Sequence, residues 1–252
     1  MKKNKSQKMF KRITVLIPEK GSFPNFLRMA VELSKMLKIS LRLLVSSRFL
    51  NERPQKSGFY REYMEEQSLQ NGIEWDVQVF EDSLSRVLEK FSREDDILVA
   101  LKDSDPFLLK VLLREAPCPV LVSPQGFECS FQTVILAYAG GRFSDRALRI
   151  ASELGKNGGC CLEVLTVGVA SSPVLRSNHE HVRYCLGMYK VKADYRMLRG
   201  NIKKTILDTC EGRQANLLIL GSSETPEWKD YRFRSLSEEV ADEAKCPVMV
   251  VK

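Results

Sequence analysis

The run Leu217-Leu218-Ile219-Leu220-Gly221-Ser222-Ser223, followed after a polar stretch by Arg234-Ser235, places small and hydroxyl residues at both ends of one loop. A buried strand, a glycine turn and a serine that opens a helix form the kind of corner where open parallel sheets hold ligands. Backbone N–H groups approach a phosphate closely where no Cβ intervenes, and a helix N-terminus adds partial positive charge. Gly221, Ser222, Ser223, Arg234 and Ser235 are therefore the candidate cofactor-binding residues. Each also has an ordinary reading. Gly221 can simply turn the chain, and Ser235-x-x-Glu238 has the spacing of a capping box.

A second cluster, Asn178-His179-Glu180-His181-Val182-Arg183-Tyr184-Cys185, holds both histidines of the chain. His-x-His with Cys185 could gather three transition-metal ligands if its first part were extended and its second helical. No fourth ligand accompanies them, and a polar loop leading into a helix explains the same residues, so no metal is expected. A Cys–His nucleophile would need an orienting carboxylate and an oxyanion hole that the sequence does not indicate. No catalytic residue is assigned.

Seven cysteines without a CxxC spacing leave one unpaired at best. In a chain of this size that suggests reduced, mostly buried thiols and a cytoplasmic protein. Cys118 and Cys246 precede prolines at strand entries, where a small apolar side chain packs well, and Cys160-Cys161 begins a strand in the same way. The net charge of +7 includes a lysine-rich start, Met1 to Lys8. Such a charge suits a soluble surface with a disordered basic tail over residues 1–9, or an adaptor for nucleic acid or membrane surface. Nothing spells nucleic-acid recognition: no aromatic residues interleave with the basic ones and no zinc-finger spacing occurs. No apolar run approaches the roughly 18–20 residues of a membrane span, and the N-terminus does not read as a signal peptide.

The elements that must position these residues come twice. Ala116-Pro117-Cys118-Pro119-Val120-Leu121-Val122 recurs as Ala244-Lys245-Cys246-Pro247-Val248-Met249-Val250, and Asp96–Leu101 recurs as Asn216–Gly221. Strands are expected near 13–18, 41–46, 74–80, 97–101 and 119–123, then near 133–138, 161–167, 193–199, 217–220 and 247–251. Short apolar runs without alternation suit parallel strands covered on both faces, whereas the alternating third strand of each half suits a sheet edge. Ser83 or Asp82 and Asn201 read as helix caps, Ser144 as the start of a helix over 145–154, and Gly155 as its stop. A polar helix is expected over Tyr60–Leu69. Ser123-Pro124-Gln125-Gly126 marks a junction, giving one domain over 10–126 and a second over 127–252.

Arg234-Ser235-Leu236-Ser237-Glu238-Glu239-Val240 with Ala244–Val250 resembles the closing signature of universal stress proteins, and Leu218–Ser222 resembles the strand and glycine before it. Ala116–Val122 and Ile13–Pro18 give half one the family's ending and beginning. The chain thus resembles a tandem member of that family. The resemblance implies two Rossmann-like α/β domains of the adenine-nucleotide alpha-hydrolase-like kind, each a five-stranded parallel sheet of order 3-2-1-4-5. It also implies pairing of the two copies through their fifth strands, as a pseudo-dimer.

Nucleotide-binding members of the family carry glycines at positions that fall here on Gly221, Glu224 and Arg234, followed by Ser235. Only the first glycine and the serine remain. The family's acidic residue after the first strand maps to Ala139. In half one Leu101 replaces the first glycine and Phe107 stands where the serine should be; Glu19 keeps the acidic position without a phosphate loop beyond Lys102-Asp103-Ser104-Asp105. The expectation is a non-enzymatic, stress-response regulatory binding module without a bound cofactor, acting through an unknown protein partner or as a homodimer. The alternative is an ATP- or AMP-binding switch, with slow ATPase activity, through the second domain.

Overall fold

The computed structural model describes residues 9–17, 24–52, 54–102, 106–128, 130–168, 172–222 and 234–252. Outside these fall most of the basic tail, Glu19, Arg53, Asp103, Ser104, Asp105, Ser223 and Glu224. Half one runs β1 (Arg12–Ile17), α1 (Pro24–Leu37), β2 (Ser40–Ser46), α2 (Ser47–Glu52), α3 (Pro54–Asn71), β3 (Trp75–Phe80), α4 (Leu84–Phe91), β4 (Asp96–Leu101), α5 (Pro106–Glu115) and β5 (Val120–Ser123). Half two runs β6 (Thr133–Ala137), α6 (Arg142–Gly158), β7 (Cys161–Gly168), α7 (Pro173–Met188), β8 (Ala193–Arg199), α8 (Ile202–Gly212), β9 (Leu217–Gly221), α9 (Leu236–Glu243) and β10 (Val248–Val251).

Among the described residues ten strands form one sheet of order β3-β2-β1-β4-β5-β10-β9-β6-β7-β8. Read from its own strands, each half has the order 3-2-1-4-5, and pairing within each half is parallel. The halves join through one antiparallel pair, with Val120 opposite Val250, Leu121 opposite Met249 and Val122 opposite Val248. Leu121 and Met249 are equivalent residues of the repeat, and the flanking pairs Val120–Val250 and Val122–Val248 exchange under the repeat, so the join is a pseudo-twofold centred on Leu121 and Met249. The alternating strands β3 and β8 are the two edges.

Alternation along the inner strands divides the core into two layers, one per face of the sheet. Ile13, Val15, Ile97, Val99, Leu121, Val134, Leu136, Ile219 and Met249 belong to one; Leu98, Ala100, Val120, Val122, Ile135, Leu218, Val248 and Val250 belong to the other. Both layers run across the junction, because the fifth strands bury their side chains on both faces. The helices α1 and α6 lie side by side over the first layer, close enough that a Cβ at Gly158 would strike Met36.

Helix boundaries show where local signals were overruled. Asn201 caps α8 through Lys204 N–H at 3.0 Å, whereas Ser83 sits at the N-cap of α4 without a side-chain bond. The helix expected to open at Ser144 begins at Arg142 after Gly141, and Ser144 is buried inside its first turn. Gly155 does not stop it. The stop is Gly159, left-handed at φ +61°, while Gly155 is a packing position where a Cβ would approach Val191 Cγ1 to 2.7 Å. The His179–Cys185 segment is helical throughout, within α7, and the expected polar helix over 60–69 extends across α3.

Candidate functional site

Gly221 ends β9 beside the central strand β6, where α6 begins. A Cβ there would lie 2.6 Å from Ser144 N and 2.8 Å from Phe143 C, so the helix backbone itself requires the glycine. Ser222 is buried and donates its N–H to Val251 O at 2.7 Å, extending the β9–β10 pairing by one residue. The strand end therefore spends both residues on packing and pairing.

At the other end of the loop, Ser235 caps α9 in a full capping box. Its hydroxyl accepts Glu238 N–H at 3.2 Å, and the Glu238 carboxylate accepts Ser235 N–H at 3.3 Å. Ser235 Oγ also meets Ser237 Oγ at 3.0 Å. Glu238 is gripped from half one by Arg114, at 2.6 Å from Nε and 2.9 Å from Nη2. Both side chains of this fork are almost fully buried, at 7% and 6% exposure. The helix start, which favours negative charge, already holds a carboxylate from its own first turn. Arg234 is turned away to Asp242 at 2.5 Å.

The other wall of the corner follows β6. Tyr138 OH donates to Asp145 Oδ1 at 2.6 Å, and its ring stacks on His181 at 6.2 Å. Burial and the Asp145 carboxylate push the Tyr138 phenol well above its ordinary value. Asn178 of α7 donates to Ala139 O at 2.7 Å, and its amide lies where a Cβ on Gly140 would have to go. Ala139, the position of the family's acidic residue, is thus bridged through its carbonyl to α7.

The two histidines of α7 serve different neighbourhoods. His179 Nδ1 meets the buried Thr166 hydroxyl at 3.1 Å and its ring stands edge-on to Tyr195; burial, then Arg183, lowers its pKa. His181 Nε2 lies 3.5 Å from both Asp145 Oδ1 and Cys185 Sγ. A carboxylate therefore does stand beside the Cys–His pair, contrary to the sequence reading. It meets the same ring nitrogen as the thiol, however, whereas a relay needs the two opposite nitrogens. Burial, then Asp145, also raises the Cys185 thiol. Among the described residues no three His, Cys, Asp or Glu side chains are placed to hold a metal ion. The helical His-x-His sends its rings to different sides, which removes the geometry that metal binding would need.

Of the five candidate residues, the structure brings Gly221 and Ser222 to the strand end and Arg234 and Ser235 to the helix start, with Ser223 outside the described residues. Sequence reasoning missed Tyr138, Asp145, Asn178 and Arg114. The first two follow a strand and open a helix, a signal that could have been read. Asn178 and Arg114 act across distances in sequence that no local pattern encodes.

Comparison with known proteins follows the same lines. Residues 130–252 match the model of the Universal stress protein family. A universal stress protein from Archaeoglobus fulgidus DSM 4304, 16% identical, aligns over 97% of this chain and 98% of that one with a TM-score of 0.70. A functionally unknown protein from Pseudomonas aeruginosa PAO1, 18% identical, aligns over 96% and 92% with a TM-score of 0.71. The cytoplasmic domain of a prokaryotic cation chloride cotransporter, 14% identical, aligns over 96% and 95% at 0.57. At such identities the structural likeness is one of fold. No curated protein matches the chain.

Proposed function

We propose a function from one premise: the chain belongs to the universal stress protein family, through residues 130–252. It is a non-enzymatic regulatory binding module of the stress response, working in the cytoplasm, whose nucleotide corner in half two has been closed by its own side chains. One observation carries this reading. The Glu238 carboxylate occupies the start of α9, takes up the Ser235 N–H and is fixed there by Arg114, so a phosphate arriving at that helix end would find the place of an anion already filled. The Asn178 bridge to Ala139 and the Tyr138–Asp145–His181 stack support it from the opposite wall. With its ligand corner closed, the module acts by presenting its surface to a protein partner.

Titration calorimetry with ATP, ADP and AMP tests the reading. The expected result is no saturable heat with any of them at millimolar ligand. A micromolar dissociation constant for any of the three would sink it and turn the protein into a nucleotide switch.

A further inference from the structure

We propose that β3 is a self-docking edge: a second copy of this chain adds its own β3 antiparallel to it, about a twofold at Val77, and continues the sheet beyond ten strands. Among the described residues no strand lies outside β3. Its sequence, Trp75-Asp76-Val77-Gln78-Val79-Phe80, contains neither glycine nor proline. Val77 and Val79 stand opposite Leu43 and Val45 of β2, which belong to the first core layer, yet they are 38% and 50% exposed. Apolar side chains of high strand propensity on an open edge form a template for a further strand.

The only charged residue within β3 does not guard it. Asp76 is tied to its neighbours, accepting from Arg42 Nε at 2.8 Å and from Gln78 Nε2 at 3.1 Å. The opposite edge of the sheet is built differently. There β8 carries Asp194 and Arg199 exposed near its two ends, charges of the kind that discourage edge pairing.

Backbone direction and charge select a second copy as the occupant. Leu41 donates its N–H to Glu74 O, so the alternation of a parallel pair turns the N–H and C=O groups of Trp75, Val77 and Val79 outward. Antiparallel pairing centred on Val77 sets Val77 against its counterpart and Trp75 against Val79, each with its outward groups aligned for exchange. An aromatic residue opposite a β-branched one is a favourable cross-strand pair. Neighbouring registers oppose like charges. A centre at Asp76 would face that carboxylate with its own copy, and one at Trp75 would face Glu74 with Asp76. A centre at Gln78 would face Glu74 with Asp82, and one at Val79 would face Asp76 with Asp82. Only the Val77 register lets Asp76 meet Gln78 and keeps like charges apart.

The molecule already uses this mode of contact. At its seam, β5 and β10 extend the sheet by antiparallel pairing of like strands about Leu121 and Met249. A contact through six residues is small, so the dimer at β3 is a reversible one that grows with concentration. It does not depend on the state of the nucleotide corner.

Sedimentation of the full chain across a concentration series, paired with hydrogen–deuterium exchange, provides the test. A monomer–dimer equilibrium is expected. The amides of residues 75–79 should exchange about tenfold more slowly in concentrated than in dilute protein, while those of residues 193–199 stay the same. Val79→Arg puts a charge on the exposed edge; it should keep the melting temperature of the dilute protein and leave a monomer at every concentration. Should that variant unfold, Val77→Lys gives the same readout. Val77→Cys treated with a short bismaleimide should link two copies through position 77. A chain that stays monomeric up to millimolar concentration would overturn the proposal, as would a dimer that survives Val79→Arg or protects β8 instead. Nucleotide calorimetry is a separate measurement, so either result leaves the other standing.

Discussion

Arg114 of α5 and Glu238 of α9 form a fork of two short bonds across the junction, and almost none of either side chain reaches solvent. The same carboxylate closes the capping box of α9, so one residue couples helix initiation in half two to a cation supplied by half one. Removing either partner would strand a buried charge, which typically costs about 3–5 kcal/mol. Arg114→Ala is expected to lose that amount in urea denaturation. Arg114→Met with Glu238→Met should recover most of it, leaving only the weakened cap. A double variant as unstable as the single one would mean that the fork contributes more than charge neutralisation.

A second prediction concerns Lys252, whose ammonium donates to Ala116 O at 2.9 Å. Burial lowers its pKa to about 8, from an ordinary value of 10.5. Between those values the unfolded chain binds more protons than the folded one, so this group raises stability as pH rises from 8 towards 10.5. Lys252→Met should stabilise the protein at pH 7 by on the order of 1–3 kcal/mol and remove that part of the pH dependence. Parallel pH–stability curves for the two proteins would contradict it.

Gly221 gives a third. Because its missing Cβ makes room for the α6 backbone at Ser144 N, Gly221→Ala should cost about 2–4 kcal/mol and lower the melting temperature. A bulky substitution there reports packing rather than ligand loss. An unchanged melting temperature would show that α6 can retreat without penalty.

The fourth asks whether the proposed closure of the corner can be reversed. Glu224→Gly with Arg234→Gly restores the two missing glycines and frees Asp242 from its ion pair. ATP affinity measured by calorimetry should rise by about tenfold or more over the unmodified chain. No gain would place the main obstacle at Glu238 or at Asn178 and Tyr138 instead.

How much of this was legible beforehand depended on the range of each signal. The strands were readable because parallel, doubly covered segments are continuous apolar runs, and the repeat tied Ala116–Val122 to Ala244–Val250. Asn201 and Ser235 were readable as caps because capping acts within four residues. Gly155 misled because a glycine demanded by Val191 looks, in sequence, like one demanded by a helix end. The contacts proposed to close the corner were invisible for a related reason. Asn178 meets Ala139 from 39 positions away, and Arg114 meets Glu238 from 124. Nothing in a local window announces either meeting.

The antiparallel seam at Leu121 and Met249 carries a consequence for anyone dividing the chain. Cut apart, each fragment would end in a naked, largely apolar ribbon, Val120–Ser123 or Val248–Val251, with its hydrogen-bonding groups facing water. Such fragments should either precipitate or seek each other out and rebuild the ten-stranded plank when mixed. Covalent linkage of the copies keeps that adhesive ribbon permanently covered, and spares the protein any dependence on concentration for its assembly.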